Sequence, residues 1–582
     1  MATNIVGIDL GTTNTVMAIM DGDTPVIIPN SLGERLTPSV VSFGADGEIL
    51  VGKKARRAMI LNPQNTVGSI KRHMGTNYRV EIYGRKYTPQ EISAIIMQKI
   101  KSDLESYLGH EVPQAVVTVP AYFTDAQRQA TRDAGEIAGF NVRRIIDEPT
   151  AAAISYGFDR MEEDQILMIY DLGGGTFDVS IIEVVNGVFQ VLAIKGDNML
   201  GGDDFDQRIV DWLVEEFKQR EGIDLTTDPS ALQKLRIHAE EAKIELSNVE
   251  RTNILIESVI VTDKGPLTLD MDITRARLES LIGDLVEGTE RHVRAALEDA
   301  GLKSKDITNV VLVGGSTRIP MVQKLVEKII GRPARRDINP EECVALGAAV
   351  QSSLIASLDE EMQHSAADRL PEKGPVVVHL TPFSLGVGLV GDQYGVLVPK
   401  NSTYPTEAKD IFTTTRDFQT AISFPVYEGE EAIASSNTFL DMLRIDDIAP
   451  APRGIPRVEV TFRLNHDRIL EATAKDLTTA KAVTITVMAT DNRLSPEEKA
   501  RAIKEAQNRI TSMLEDRMQD ALMNQAEALI YRAERLLSEV DSPPRGIHET
   551  IEELQNAIER RDGHRISGAM EHLTSMITQM ER

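Results

Sequence analysis

Cysteine is all but missing from this chain of 582 residues. Cys343 stands alone, which excludes an internal disulfide and a multi-cysteine zinc site. Set in EECVALGAAV, it reads as a small packed hydrophobe rather than a reactive thiol. Apolar runs are short throughout, none approaching the roughly 20 residues that a spanning helix needs. The opening Met1-Ala2-Thr3-Asn4 carries no basic patch or cleavable apolar core, so a cytoplasmic protein is expected. Positive charge is also short: 63 lysines and arginines face 89 acids, a net charge of −26. That field repels nucleic-acid phosphates and anionic lipid, so neither nucleic acid nor a membrane is an expected partner.

What is present is length and texture. The chain is too long for one core, and three or more folding units are expected. To about residue 370, strand-like runs (Ala115 to Val119, Ile166 to Ile169, Asn309 to Val313) alternate with helical patterns such as Asp125 to Ala138 and Pro229 to Leu246, which predicts an α/β domain with two or more sheets. Leu370-Pro371-Glu372-Lys373-Gly374-Pro375 breaks the pattern as a linker would. From Val376 to about Thr490 the apolar period becomes two, with Val458, Val460, Phe462 and Leu464 on one face and Val483, Ile485 and Val487 on one face of a later run, which predicts an all-β unit. Ser495-Pro496-Glu497-Glu498 then supplies an N-cap, a first-turn proline and a capping-box glutamate, and the rest reads as a helical domain interrupted at Asp541 to Gly546. Met513, Met518, Met523, Met570, Met576 and Met580 fall in this tail; core packing is the first reading of them, a soft binding face the second.

Two stretches share one plan. GIDLGTTNTVMAI (Gly7 to Ile19) and IYDLGGGTFDVSII (Ile169 to Ile182) each run strand, Asp-Leu-Gly, small-residue turn with threonine, strand. A duplicated hairpin predicts two similar subdomains facing each other, each turn presenting bare backbone N–H groups. The glycines allow the close approach that a phosphate demands. Asp9 and Asp171 would repel phosphate unless a cation stood between them, and oxygen-only ligands point to Mg²⁺. A third element, Val310 to Val322, runs strand, Gly314-Gly315-Ser316, then a proline-started helix, which fits a nucleoside or phosphate site. Each cluster alone reads first as a structural turn; the three together predict a nucleotide cleft.

With DEPTAAAISYG (Asp147 to Gly157), VPAYFTDAQRQATRDAGEIAG (Val119 to Gly139) and GGDDFDQRI (Gly201 to Ile209), these motifs resemble the 70-kDa heat-shock chaperone family of the bacterial DnaK type, from about Asn4 to about Gln507 and more weakly through the tail. The resemblance implies an actin-like, ribonuclease-H-like duplicated ATPase domain over 1–370, a linker over 371–379, a β-sandwich peptide-binding domain over 380–494 and a helical lid over 495–582. It implies ATP or ADP with Mg²⁺, and K⁺ as a further ion. By residue-to-residue match, Asp9 and Asp171 would hold the metal through its waters, and Gly11, Thr12, Thr13, Gly173, Gly174 and Gly175 would cradle phosphates. Lys71 would reach the terminal phosphate, Glu148 would position the attacking water, and Thr176 and Asp178 would complete the polar group around them, roles that suit a reaction dominated by charge neutralisation and placement. Glu240, Lys243, Ser247, Gly315 and Arg318 match adenosine-binding positions, and Gly201, Gly202, Gly314 and Ser316 join the nucleotide set. Pro120 and Arg128 would pass nucleotide state to the linker valines Val376, Val377 and Val378, while Val387, Val390, Ile422 and Phe424 would line an apolar peptide pocket. The implied partners are extended apolar segments of unfolded polypeptides, a J-domain co-chaperone and a nucleotide-exchange factor.

The chain departs from that pattern at the linker. The family carries acids on both sides of its apolar run; here Gly374 to His379 keeps the valines and loses both acids. His379, a lone histidine beside valines, reads first as an inert boundary residue and second as a source of pH sensitivity. The ending Met580-Glu581-Arg582 lacks the acidic motif of eukaryotic cytosolic relatives, so recruitment of partners through it is not expected. Two other functions compete. A small-molecule kinase on the same cleft would leave the β unit and the tail without a role, and Lys71, Glu148, Asp171 and Thr176 speak against a weakly hydrolysing holdase or exchange factor.

Overall fold

The computed structural model describes residues 5–157, 163–364, 376–465, 469–487, 494–537 and 544–580. The expected boundary at Leu370 to Pro375 and the break at Asp541 to Pro543 lie outside the described residues, as do the side chains of Val376, Met513 and Met518.

The first sheet is built from β1 (Ile5–Leu10), β2 (Asn14–Asp21), β3 (Thr24–Ile27), β4 (Gln114–Val119) and β5 (Asn141–Asp147), in the order β5-β4-β1-β2-β3. Here β1 is parallel to β4 and antiparallel to β2. Helix α1 (Asp125–Ile137) links β4 to β5, and α2 (Glu148–Gly157) starts where β5 stops. The second sheet repeats the scheme with β6 (Gln165–Leu172), β7 (Phe177–Val185), β8 (Val188–Asp197) and β9 (Asn309–Val313): β6 is parallel to β9 and antiparallel to β7, and β7 is antiparallel to β8. The two Asp-Leu-Gly stretches therefore occupy equivalent hairpins, β1–β2 and β6–β7. Between β8 and β9 lie α3 (Gly202–Glu221) and α4 (Pro229–Leu246), packed over a core that includes Tyr170, Phe177, Phe205 and Leu235.

Small residues set how the halves join. Helix α5 (Cys343–His364) crosses α2 so closely that a Cβ on Gly347 would lie 1.8 Å from the Ala151 carbonyl oxygen. It also lies on β1, where a Cβ on Gly7 would fall 2.4 Å from the Ala349 nitrogen. Cys343, 1% exposed, is packed into the shared core with Ile169, Val311 and Val344, as a small hydrophobe would be.

Strand β10 (Val376–Leu380) extends the second sheet. It pairs in parallel with β8, Phe189 opposite Val377, and then antiparallel with β13 (Thr403–Tyr404), His379 opposite Tyr404. The strands that follow form a sandwich. Taking β11 (Leu385–Gly388), β12 (Tyr394–Val398), β14 (Thr406–Thr413), β15 (Ile422–Glu428), β16 (Thr438–Ile445), β17 (Arg457–Leu464), β18 (Leu470–Asp476) and β19 (Ala482–Val487), the sheets run β12-β11-β15-β16 and β14-β17-β18-β19. Val458, Val460, Phe462 and Leu464 all point into its core, as period-two burial requires.

Helix α6 (Pro496–Leu537) opens with the capping box legible in the sequence: Glu498 N donates to Ser495 Oγ at 3.1 Å and Ser495 N to Glu498 Oε2 at 2.8 Å. The chain divides into two compact units, Met1–Lys499 and Ala500–Arg582. The second holds its own core of Ile530, Leu554, Ile566 and Leu573 between α6, α7 (Ile547–Glu559) and α8 (Gly563–Met580). Met576 is buried there, and Met523, Met570 and Met580 pack against it.

Candidate functional site

The two hairpin turns meet. A Cβ on Gly174 would lie 1.9 Å from Thr13 Oγ1, and one on Gly175 would lie 2.8 Å from Thr12 Cγ2. A side chain at either position would force Thr12, Thr13 or Arg72 to shift. Gly11 is tight for a local reason, since its Cβ would sit 2.1 Å from the Asn14 carbonyl oxygen. Gly314, at φ 82°, closes the β9 turn against Leu172 in a backbone region that favours glycine.

Beneath these turns lies a cavity of about 390 Å³. It is lined by Asp9, Gly11, Thr12 and Thr13 from the first turn and by Asp171, Gly173, Gly174 and Thr176 from the second. Lys71 and Glu148 also face it, as do Glu240, Lys243, Ser247, Gly314, Gly315, Ser316 and Arg318. Gly175, Gly201 and Gly202 stand behind the wall, where they allow α3 to start against the second turn: Gly202 N donates to the Gly173 carbonyl at 2.9 Å and Asp203 N to that of Gly174 at 2.8 Å.

Charge in the cavity is unbalanced. Lys71 Nζ is 2.5 Å from Glu148 Oε1, both nearly buried, and that pair leaves Asp9, Asp171 and Asp178 without a cation of their own. Burial first, then the charge of Glu148, pushes the Asp9 carboxyl up to about 7 and Asp178 up to about 8, and the same causes raise Asp171 well above the ordinary carboxylate range. Thr118 Oγ1 donates to Asp9 at 3.1 Å, and Ala121 N to Asp178 Oδ2 at 3.0 Å, while Asp178 Oδ1 is buried without a hydrogen bond. Such a site fits an added cation. Among the described residues no group of three or more His, Cys, Asp or Glu side chains could hold a metal alone. The donors therefore suit an ion that keeps water or phosphate oxygens as most of its ligands, the habit of Mg²⁺.

On the far side, Lys243 Nζ donates to Asp206 Oδ2 at 2.7 Å and to the Gly202 carbonyl at 3.0 Å, and Glu240 pairs with Arg56 at 2.6 Å. Arg318 is half-exposed and paired with Glu341 at 2.9 Å.

Residues assigned to other roles lie apart from this cavity. Val387, Ile422 and Phe424 are buried in the sandwich core, and Val390 is 74% exposed in the turn after β11. Phe412, which sequence reasoning passed over, packs against Phe424 with ring centroids 5.2 Å apart. Pro120 ends β4 immediately before Ala121, the donor to Asp178. Arg128 donates to Asp147, the residue before Glu148. Val377 and Val378 are half-buried on the edge of β8.

Other side chains that join elements around the cavity were also passed over. Arg72, beside Lys71, donates to Asp204 at 3.1 Å and to the Met199 carbonyl at 2.9 Å, bridging toward α3. Asp147 is the acid that joins Arg128 to the linker. In the sequence it only opens the motif DEPTAAAISYG, which gave it no role of its own. His379, expected first as an inert boundary residue, stacks its ring on Tyr404 and faces Asp147.

Comparison with known proteins agrees with this geometry. The family model for Hsp70 protein matches residues 5–82 and 77–582. Chaperone protein DnaK of Thermosipho africanus (strain TCF52B) is 48% identical over 575 residues, covering 98% of this chain and 94% of the relative. Chaperone protein DnaK of Thermosipho melanesiensis is 47% identical over 575 residues, covering 98% and 95%.

Proposed function

The chain belongs to the Hsp70 family, and from that premise we propose that the cavity between the paired turns binds ATP with Mg²⁺ and that its hydrolysis governs how the β-sandwich holds polypeptide. The protein is an ATP-dependent chaperone for unfolded polypeptides and an ATPase. The turns at Gly11 to Thr13 and Gly173 to Thr176 offer backbone N–H groups to the phosphates. Bound Mg²⁺ would neutralise phosphate charge, with Asp9 and Asp171 as its protein anchors. Lys71 brings positive charge to the terminal phosphate, and Glu148, held by Lys71, orients the attacking water. Glu240, Lys243, Ser247 and Arg318 surround the nucleoside. Linker strand β10, seated on β8, carries the nucleotide state onward through Pro120 and Arg128. A J-domain co-chaperone and a nucleotide-exchange factor complete the cycle, with K⁺ as an accessory ion, in a bacterial cytoplasm. No helix among the described residues is long and apolar enough to cross a membrane.

One observation carries this reading: opposing bare turns in contact, each following an aspartate that lines a cavity holding a lysine–glutamate pair. The kinase and holdase alternatives are not favoured, since the first leaves the sandwich idle and the second leaves Lys71 and Glu148 idle. Calorimetry with ATP, with and without Mg²⁺, tests the site, and the steady ATPase rate with and without an unfolded apolar peptide tests the coupling. Two linked sites should shift each other's affinity by about 5- to 150-fold. Metal-independent binding, or a rate indifferent to peptide, would overturn it.

A further inference from the structure

A second cavity, of about 580 Å³, lies on the other side of the Thr12–Thr13 turn. It shares Thr12, Thr13, Asp203 and Glu240 with the nucleotide cavity, so the two have a common wall. The short helical turn Ile70–His73 serves both sides of that wall: Lys71 faces the nucleotide cavity and Arg72 the second one. The Arg72 chain lies against Gly175, and its guanidinium donates to Asp204 at 3.1 Å and to the Met199 carbonyl at 2.9 Å. Four acids line the second cavity, and each is engaged: Asp204 by Arg72, Asp206 by Lys243 at 2.7 Å, Glu240 by Arg56 at 2.6 Å and Asp203 by the Ser69 hydroxyl. Arg236, exposed on α4, also lines this cavity, and among the described residues its side chain has no hydrogen bond or ion pair. The free charge of the second cavity is therefore positive and stands at its solvent edge.

We propose that inorganic phosphate cut from ATP leaves ahead of ADP through this second cavity, drawn past Arg72 to Arg236. The inference rests on the reading of the first cavity as an ATP site. There the terminal phosphate takes the closed end, where Lys71 and Glu148 are nearly buried, and the nucleoside takes the end where Arg318 is half-exposed. Bound ADP therefore stands between the freed phosphate and the entrance by which the nucleotide came. The common wall lies on another side. Arg72 follows Lys71 directly in the chain, so a phosphate released by Lys71 meets its next positive charge in the second cavity. Fixed positive charge along a cleft raises the local concentration of an anion and speeds its passage. An arginine suits this task because it stays charged at any working pH and meets phosphate oxygens with two N–H groups at once. Arg236 does not line the nucleotide cavity, so it acts on the passage of phosphate and not on the holding of it.

The test loads the full chain with ADP, Mg²⁺ and inorganic phosphate, then dilutes it into a fluorescent phosphate sensor, which times release without waiting for hydrolysis. Entry of phosphate into the ADP-loaded chain and dissociation of a fluorescent ADP are timed alongside. In wild type, phosphate should leave before ADP. Arg236→Glu should slow phosphate entry and release alike, by about three- to tenfold at low salt, so that phosphate affinity is unchanged, and Arg236→Lys should restore both rates. Gln233→Trp, from the same helix and the same cavity lining, should slow both by narrowing the route with no change of charge. ADP dissociation should match wild type in all three variants. Wild-type phosphate rates in both Arg236→Glu and Gln233→Trp, or a changed phosphate affinity in place of changed rates, would overturn the proposal. So would phosphate that leaves wild type only together with ADP, or that is not held beside ADP at all. Absence of Mg²⁺-dependent ATP or ADP binding in wild type would instead sink the underlying site.

Discussion

At the level of single residues, the cleft concentrates charge that water would normally disperse. Lys71 and Glu148 are buried together, and removing either leaves the other desolvated and alone. Lys71→Met is expected to lower the single-turnover hydrolysis rate about 10²- to 10³-fold, the usual loss when one preorganised charge is removed, with ATP affinity changed far less in equilibrium binding. Asp178 makes a prediction about pH. Its folded pKa, about 8, lies above the unfolded value, so the metal- and nucleotide-free wild type loses stability as pH rises from about 4 to about 8 and levels off beyond. Asp178→Asn, which can still accept from Ala121 N, should match wild type in melting temperature near pH 4 and gain on it steadily to pH 8. Equal melting curves across that range would contradict the burial argument. The glycine turns and their aspartates were legible as a set, and Lys71 only through the family resemblance. Asp147 and His379 were not, because an acid and a histidine far apart in sequence have meaning only as a buried pair.

Among elements, close crossings decide the architecture. Helices α2 and α5 meet at Gly347, where a Cβ would overlap the Ala151 carbonyl oxygen. Gly347→Ala cannot be relieved by a rotamer change because the obstacle is backbone. It should cost about 3 kcal/mol, the upper range for overpacking, read as a lower urea midpoint, while alanine at Gly568 on α8 meets no neighbour within 4 Å. The duplicated hairpins and the period-two strands could be read directly, since each pattern is local. The strand formed by Val376 to Leu380 could be anticipated only as an apolar run. Its parallel register on β8 and its turn into β13 depend on an exposed sheet edge nearly 190 residues earlier in the chain.

For the molecule as a whole, the division after Lys499 separates the helical core from the cores of the first unit. The cavity, the linker strand and the sandwich all belong to the first unit, and the second has a core of its own. A chain stopped at Lys499 should therefore keep ATP binding and basal hydrolysis within about twofold, and a fragment from Ala500 onward should be helical by circular dichroism with its own melting transition; loss of basal turnover in the shorter chain would show that the units are energetically inseparable. The sequence by itself determined the class of each segment, the duplicated Asp-Leu-Gly turns and the excess of acid, because propensity, periodicity and turn chemistry act over a few neighbouring residues. Only the tertiary structure decided that Gly174 touches Thr13, that four carboxylates share one lysine, and that His379 reaches Asp147. Those contacts join residues that are distant along the chain, and their energies arise from desolvation and packing that exist only once the chain has closed on itself.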